Sequence, residues 1–146
     1  MLRRDDGIPF SVGRAKFADL SDAQEEGSAK IFVKIGTASS SSPVPALLDT
    51  GAAWSVLDKE LAEELELLSG EGEQVPMSTR LGRFTGRLER TRIDILADEG
   101  ESITVDATVW VSEQWPGGTF VGYQGLLERI RFAIDPSDNS FYFAGL

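Results

Sequence analysis

The 146-residue chain, 41% hydrophobic and 26% charged, has the length and balance of one soluble domain, with no run near the ~20 apolar residues of a membrane span. Its net charge of −10 argues against a general nucleic-acid binder, which relies on clustered Lys and Arg. The absence of histidine and cysteine excludes Ser-His and Cys-His nucleophiles, zinc sites built on those ligands, and disulfides; an enzyme of this composition moves protons with carboxylates or with a Ser-Lys pair.

Taken in chain order, residues 1–29 read as an N-terminal arm or tail, with one apolar patch at residues 8–12 and the polar stretch SDAQEEGSAK after it. The opening MLRRDDGIPF lacks the apolar run of a signal peptide, which sets a cytoplasmic location as the expectation. Residues 30–35 alternate as a strand does, and GTASSSSP follows as a polar loop with strong turn chemistry. The apolar run VPALL ends at Asp49, TGA turns the chain, and residues 54–57 resume a strand. Asp58 is a good N-cap for KELAEELELL, where Leu61, Leu65 and Leu68 fall at helical spacing and Gly70 supplies a stop, so a helix is predicted over 58–68.

Beyond the helix, QVPMSTRL and GRLERTRIDILA predict two strands around a turn at residues 82–86, and DEGE leads into the strand SITVDATVWVS. After the turn WPGG, a short apolar run, a helical turn and a strand are predicted in GTFVGYQGLLERIRFAID, and SFYFAGL closes the chain as a strand. Many short strands with one or two short helices predict a mostly β, barrel-like domain spanning residues 30–146.

The sharpest chemical feature is Asp49-Thr50-Gly51-Ala52 at the mouth of an apolar strand. A turn there can hold a carboxylate on backbone N–H groups while glycine lets the chain bend close beneath it. Asp and Gly are also ordinary turn formers, so the apolar LL before and SVL after add to the signal. Lys30, Lys34 and Lys59 sit in polar surroundings, which sets a Ser-Lys pair aside. Arginines 80, 83, 87, 90 and 92 gather around the glycine-bearing hairpin, either to meet an acidic peptide or, the simpler reading, to pair with neighbouring acidic residues. Trp54 and Trp115 read as core or rim aromatics.

With ALLDTGA, LGRFTG and FVG followed by YQGLLERI, the chain resembles the retropepsin-like aspartic peptidases from about residue 31 to its end. The resemblance implies a closed β-barrel of the acid protease fold and an aspartic endopeptidase that works as a homodimer on peptide or protein substrates. It implies a catalytic turn of Asp49, Thr50 and Gly51, with Thr50 fixing the turn against its mate. It also implies substrate contacts from Ala52, Ala53 and Gly122, and from a flap carrying Gly82, Phe84 and Gly86. Two carboxylates about 3 Å apart cannot both ionise, so one Asp49 stays protonated while its mate activates water. No metal or organic cofactor is required, and neither nucleic acid nor membrane is a partner. Retroviral members often carry an acidic residue after the turn and an arginine after the later glycine; here Ala53 and Tyr123 stand there, which removes both members of an ion pair near the dimer contact. The alternative on the same fold is a catalytically silent peptide-binding or dimerisation module.

Overall fold

The computed structural model describes residues 1–19 and 31–146. Twelve strands and one short α-helix are placed among them: β1 (Gly13–Lys16), β2 (Ala18–Asp19), β3 (Ile31–Gly36), β4 (Val44–Leu48), β5 (Ser55–Val56), α1 (Lys59–Glu64), β6 (Gln74–Thr79), β7 (Gly82–Ile95), β8 (Glu99–Gly100), β9 (Ile103–Val111), β10 (Phe120–Val121), β11 (Ile130–Asp135) and β12 (Ser140–Gly145). A 3-10 turn at Leu127–Arg129 precedes β11.

The larger sheet runs β2-β3-β4-β10-β5-β9-β7-β6, and an additional β3–β7 pairing closes its six central strands into a barrel. The predicted closed, mostly β barrel is borne out. The smaller sheet runs β11-β12-β1-β8. Within the segment expected as an N-terminal arm, β1 pairs antiparallel with β12, Gly13 opposite Phe143 and Lys16 opposite Ser140. Residues 20–30, which hold the polar stretch SDAQEEGSAK, lie outside the described residues.

Period-two alternation explains the barrel interior. On β9, Val105, Ala107, Val109 and Val111 point inward and meet Ile93 and Ile95 of β7, Val33 and Ile35 of β3 and Val121 of β10. Each buried Val or Ile among them contributes roughly 1.5–3 kcal/mol of transfer free energy. The opposite face of β9 is buried at one end too, where Trp110 joins Val56 and Trp115 in a second cluster outside the barrel. The small sheet packs Ala15, Phe141 and Phe143 onto the main core.

The helix starts where predicted and stops early. Asp58 Oδ1 accepts the Leu61 N–H at 2.8 Å, a side-chain N-cap. Glu66 then takes φ 60°, the Glu66 N–H donates to Glu63 O at 3.0 Å and the Leu67 N–H to Ala62 O at 2.9 Å. This left-handed cap ends the helix, which the sequence extended to Leu68, and Leu67 as well as Leu65 and Leu68 packs against the core.

Asp98 joins the two sheets. Its carboxylate accepts from the Lys34 ammonium on β3 and, at 2.7 Å, from the Lys16 backbone N–H on β1. The Lys34 contact first, and the Lys16 N–H second, hold its pKa below the ordinary 3.8. A carboxylate whose folded pKa is depressed contributes stability that is complete above the unfolded value and is lost as pH falls through the folded one. Asp98→Asn is therefore expected to cost stability near neutrality and little in acid. Urea melts at about pH 6 and about pH 3 check this, since an unchanged gap between variant and wild type would refute it.

Candidate active site

Two strand ends meet at the site. β4 and β10 run parallel, with Phe120 opposite Leu47 and Val121 opposite Leu48, and the Asp49 N–H extends the ladder to Val121 O at 3.0 Å. The chain then reverses: the Ala52 N–H donates to Asp49 O at 3.1 Å, and the Gly51 N–H donates to Asp49 Oδ1 at 3.0 Å. The carboxylate is thus oriented by its own turn and accepts one backbone hydrogen bond. Asp49 is half-buried, and Thr50, Gly51 and Ala53 are exposed.

A second loop is zipped to this one. The Tyr123 N–H donates to Ala52 O at 2.9 Å, the Gln124 N–H to Ala53 O at 2.8 Å, and the Gly122 N–H to the buried Ser55 Oγ at 2.9 Å. Gly122 is required by close approach, because a Cβ there would lie 2.3 Å from Trp54 O and 2.9 Å from Ser55 N. Asp49, Thr50, Gly51, Ala52, Ala53 and Gly122 are therefore contiguous in space.

Beneath these loops Thr119 joins two elements. Its hydroxyl donates to Asp58 Oδ2 at 2.9 Å and accepts the Asp58 N–H at 3.1 Å, while its carbonyl takes the Leu47 N–H at 2.9 Å. Neither Ser55 nor Thr119 stood out in the sequence. The available signal was a hydroxyl in an otherwise apolar strand, as in WSVL and TFVG.

The hairpin of β6 and β7 departs from its predicted shape. Thr79 pairs with Gly82 across the two-residue turn Arg80-Leu81, and Arg83, Phe84 and Thr85 lie within β7 opposite Ser78, Met77 and Pro76. The tip is at residues 80–81 rather than 82–86. Gly82 supplies the φ of 128° that brings the chain out of so short a loop. Phe84 faces an aromatic cluster: it stands edge-on to Trp115 at 5.5 Å, and Trp115 stands edge-on to Phe120 at 5.7 Å and to Trp110 at 6.0 Å. Gly86 packs beneath the Trp110 indole. Phe84 and Gly86 thus connect through aromatic rings to Phe120, the residue before Val121 beside Asp49. Gly82 makes no hydrogen bond to the aspartate turn among the described residues.

The body of the protein also grips this hairpin by its backbone. Gln114 Oε1 accepts the Thr85 N–H at 3.1 Å, and Ser112 Oγ donates to Thr85 O at 2.6 Å. Of the five arginines, Arg87 lies 3.7 Å from Glu89 and Arg92 3.8 Å from Asp106, whereas Arg80, Arg83 and Arg90 have no ion-pair partner among the described residues. A cavity of about 230 Å³ lies against the hairpin, lined by Leu68, Gln74, Thr85, Arg87, Ser112 and Gln114 among others, none of which belongs to the aspartate turn. The carboxylate held by the turn lies outside this cavity's lining.

No helix among the described residues is long and apolar enough to cross a membrane. Residues 33–114 match the protein family described as Aspartyl protease. The fold is similar to the crystal structure of a retropepsin-like aspartic protease from Rickettsia conorii, with a TM-score of 0.53 and 20% sequence identity over 92% of this chain and 94% of that one. No curated protein matches the sequence.

Proposed function

The chain belongs to the aspartyl protease family, and on that premise we propose that it is an endopeptidase whose active site is completed by a second copy of itself, each copy contributing Asp49. The observation that carries this reading is the aspartate turn. It holds one carboxylate by the Gly51 N–H, leaves Thr50 and Gly51 exposed, and occurs once in the sequence. A site built on a carboxylate pair then needs a two-fold axis passing between two such turns.

In this reading a water molecule lies between the two Asp49 carboxylates. The charged one takes a proton from the water as it attacks the peptide carbonyl, and the protonated one donates to the carbonyl oxygen. The carboxyl that took the water's proton then passes it to the amide nitrogen, its mate takes a proton back from a hydroxyl of the tetrahedral intermediate, and the C–N bond breaks to release acid and amine with the pair again singly protonated. Thr50 braces the paired turns, Ala52, Ala53 and Gly122 border the bound peptide, and the hairpin with Gly82, Phe84 and Gly86 covers it. No step calls for a metal or an organic cofactor.

Inhibitor stoichiometry tests the shared site. A peptide analogue with a hydroxyl in place of the scissile carbonyl resembles the hydrated intermediate and is expected to block cleavage at one molecule per two chains, as titration calorimetry would measure. Chelators and serine-directed reagents are expected to leave cleavage unchanged. Binding of one inhibitor per chain, or inactivation by a chelator, would refute the shared carboxylate pair.

A further inference from the structure

Alternate residues of a strand share a face, so the pairings that close the barrel also lay out a floor on its outside. Leu47 is opposite Phe120, Phe120 opposite Val56 and Val56 opposite Trp110, and the outward side chains Phe120, Val56 and Trp110 form one row across β10, β5 and β9. Asp49 continues the line of β4 two residues on from Leu47, so the row begins one residue pair away from the carboxylate. Over the row stands the hairpin, with Met77 and Phe84, paired with each other across β6 and β7, packed toward it. Such a floor and roof beside an aspartate turn form a natural recess for one side chain of a peptide held at Asp49.

That recess is already filled. Trp115, from the turn between β9 and β10, is only 3% exposed and lies between floor and roof, edge-on to Trp110 at 6.0 Å, to Phe120 at 5.7 Å and to Phe84 at 5.5 Å. The ring is held in place by its own turn. Its indole N–H donates to Gly118 O at 3.0 Å, and Gly117 packs so closely that a Cβ there would lie 2.4 Å from the indole. The cavity lined by Thr85 and Arg87 is on the opposite face of β7 from Phe84 and gives this recess no extra room.

We propose that Trp115 sets substrate choice by occupying the side-chain recess next to the carboxylate. The enzyme then cleaves peptides that carry glycine, alanine or serine where the chain passes this ring, and rejects those with phenylalanine, tyrosine or leucine there. This rests on the shared-site reading and names the substrate class of that site. Each copy brings its own Trp115, so the restriction applies once on either side of the cleaved bond.

The test compares kcat/KM of the wild type, Trp115→Ala and Trp115→Leu on peptides with alanine or phenylalanine placed in turn at the two positions on either side of the cleaved bond. The wild type is expected to favour alanine over phenylalanine by at least about tenfold at one position on each side, and Trp115→Ala to shrink that preference at least about tenfold or reverse it. Trp115→Leu is expected to fall between them and reads the same recess should the alanine variant fail to fold. Free indole, which refits the space left by the ring, is expected to return Trp115→Ala toward the wild-type preference. A structural role alone lowers cleavage of both peptides together, so variants with an unchanged ratio would overturn the proposal, as would a wild type that accepts phenylalanine at every position. Either result leaves the Asp49 pair standing. A wild type that cleaves no peptide and leaves the hydroxyl analogue unbound would overturn both.

Discussion

Asp49→Asn is expected to reduce peptide cleavage by at least about three orders of magnitude while leaving folding and self-association unchanged. The structural part of this expectation follows from the bonds at the turn. Asp49 N–H to Val121 O and Ala52 N–H to Asp49 O are backbone contacts that the substitution does not touch. The Gly51 N–H to Oδ1 bond survives because an amide oxygen accepts as a carboxylate oxygen does. The chemical part is lost, since an amide cannot take a proton from water at any working pH. Cleavage of a mixed peptide library, measured beside thermal melting and sedimentation, separates the two. Activity within tenfold of wild type, in a variant that melts normally, would remove Asp49 from the mechanism.

Gly122→Ala is expected to lose both stability and activity, through a contact that surrounding side chains cannot relieve. The atoms a Cβ would strike, Trp54 O at 2.3 Å, Trp54 C at 2.5 Å and Ser55 N at 2.9 Å, are all backbone, and they continue the chain that leaves the aspartate turn at Ala53. Relief requires separating the two loops, which stretches Gly122 N–H to Ser55 Oγ and Gln124 N–H to Ala53 O. The cost is expected at about 2–3 kcal/mol or more, which lowers the melting temperature by about 8–12 °C in a domain this size. Gly118→Ala is the control, because a Cβ there meets nothing within 4 Å. Equal melting temperatures for the two variants would show that the loops are not packed as described.

Much of the site was written in local sequence, because its parts are short motifs whose geometry is made by neighbouring residues. ALLDTGA specifies a strand, a turn that caps its own carboxylate and a second strand, all within a few residues. Gly122 was paired with that turn only through the resemblance carried by FVG, since the contact itself joins residues far apart along the chain. The start of α1 was equally local, since Asp58 carries its cap three residues ahead. Its end was hidden because the left-handed position is held by Glu66, where glycine is the usual signal. The hairpin tip was misplaced for the opposite reason: with glycines at both 82 and 86, composition could not say which one serves a turn and which one lies under an indole. The roles of Ser55, Thr119, Ser112 and Gln114 depend on partners distant along the chain, and single-residue patterns carry no record of those.

The grip of Ser112 and Gln114 on Thr85 divides the hairpin mechanically. Everything from Thr85 toward the barrel is anchored, and Met77 and Phe84 pack on the cluster of Trp110 and Trp115, so a movement that keeps these contacts bends only residues 78–83, a lever pivoted away from the barrel. If the hairpin covers a bound peptide, as proposed above, opening it by that route leaves the barrel at rest. It confines the ordering penalty on closure to those residues, roughly 1–2 kcal/mol for each backbone unit that stiffens. In the proposed reading of this hairpin as the cover over a bound peptide, the reach of that cover is limited by one threonine.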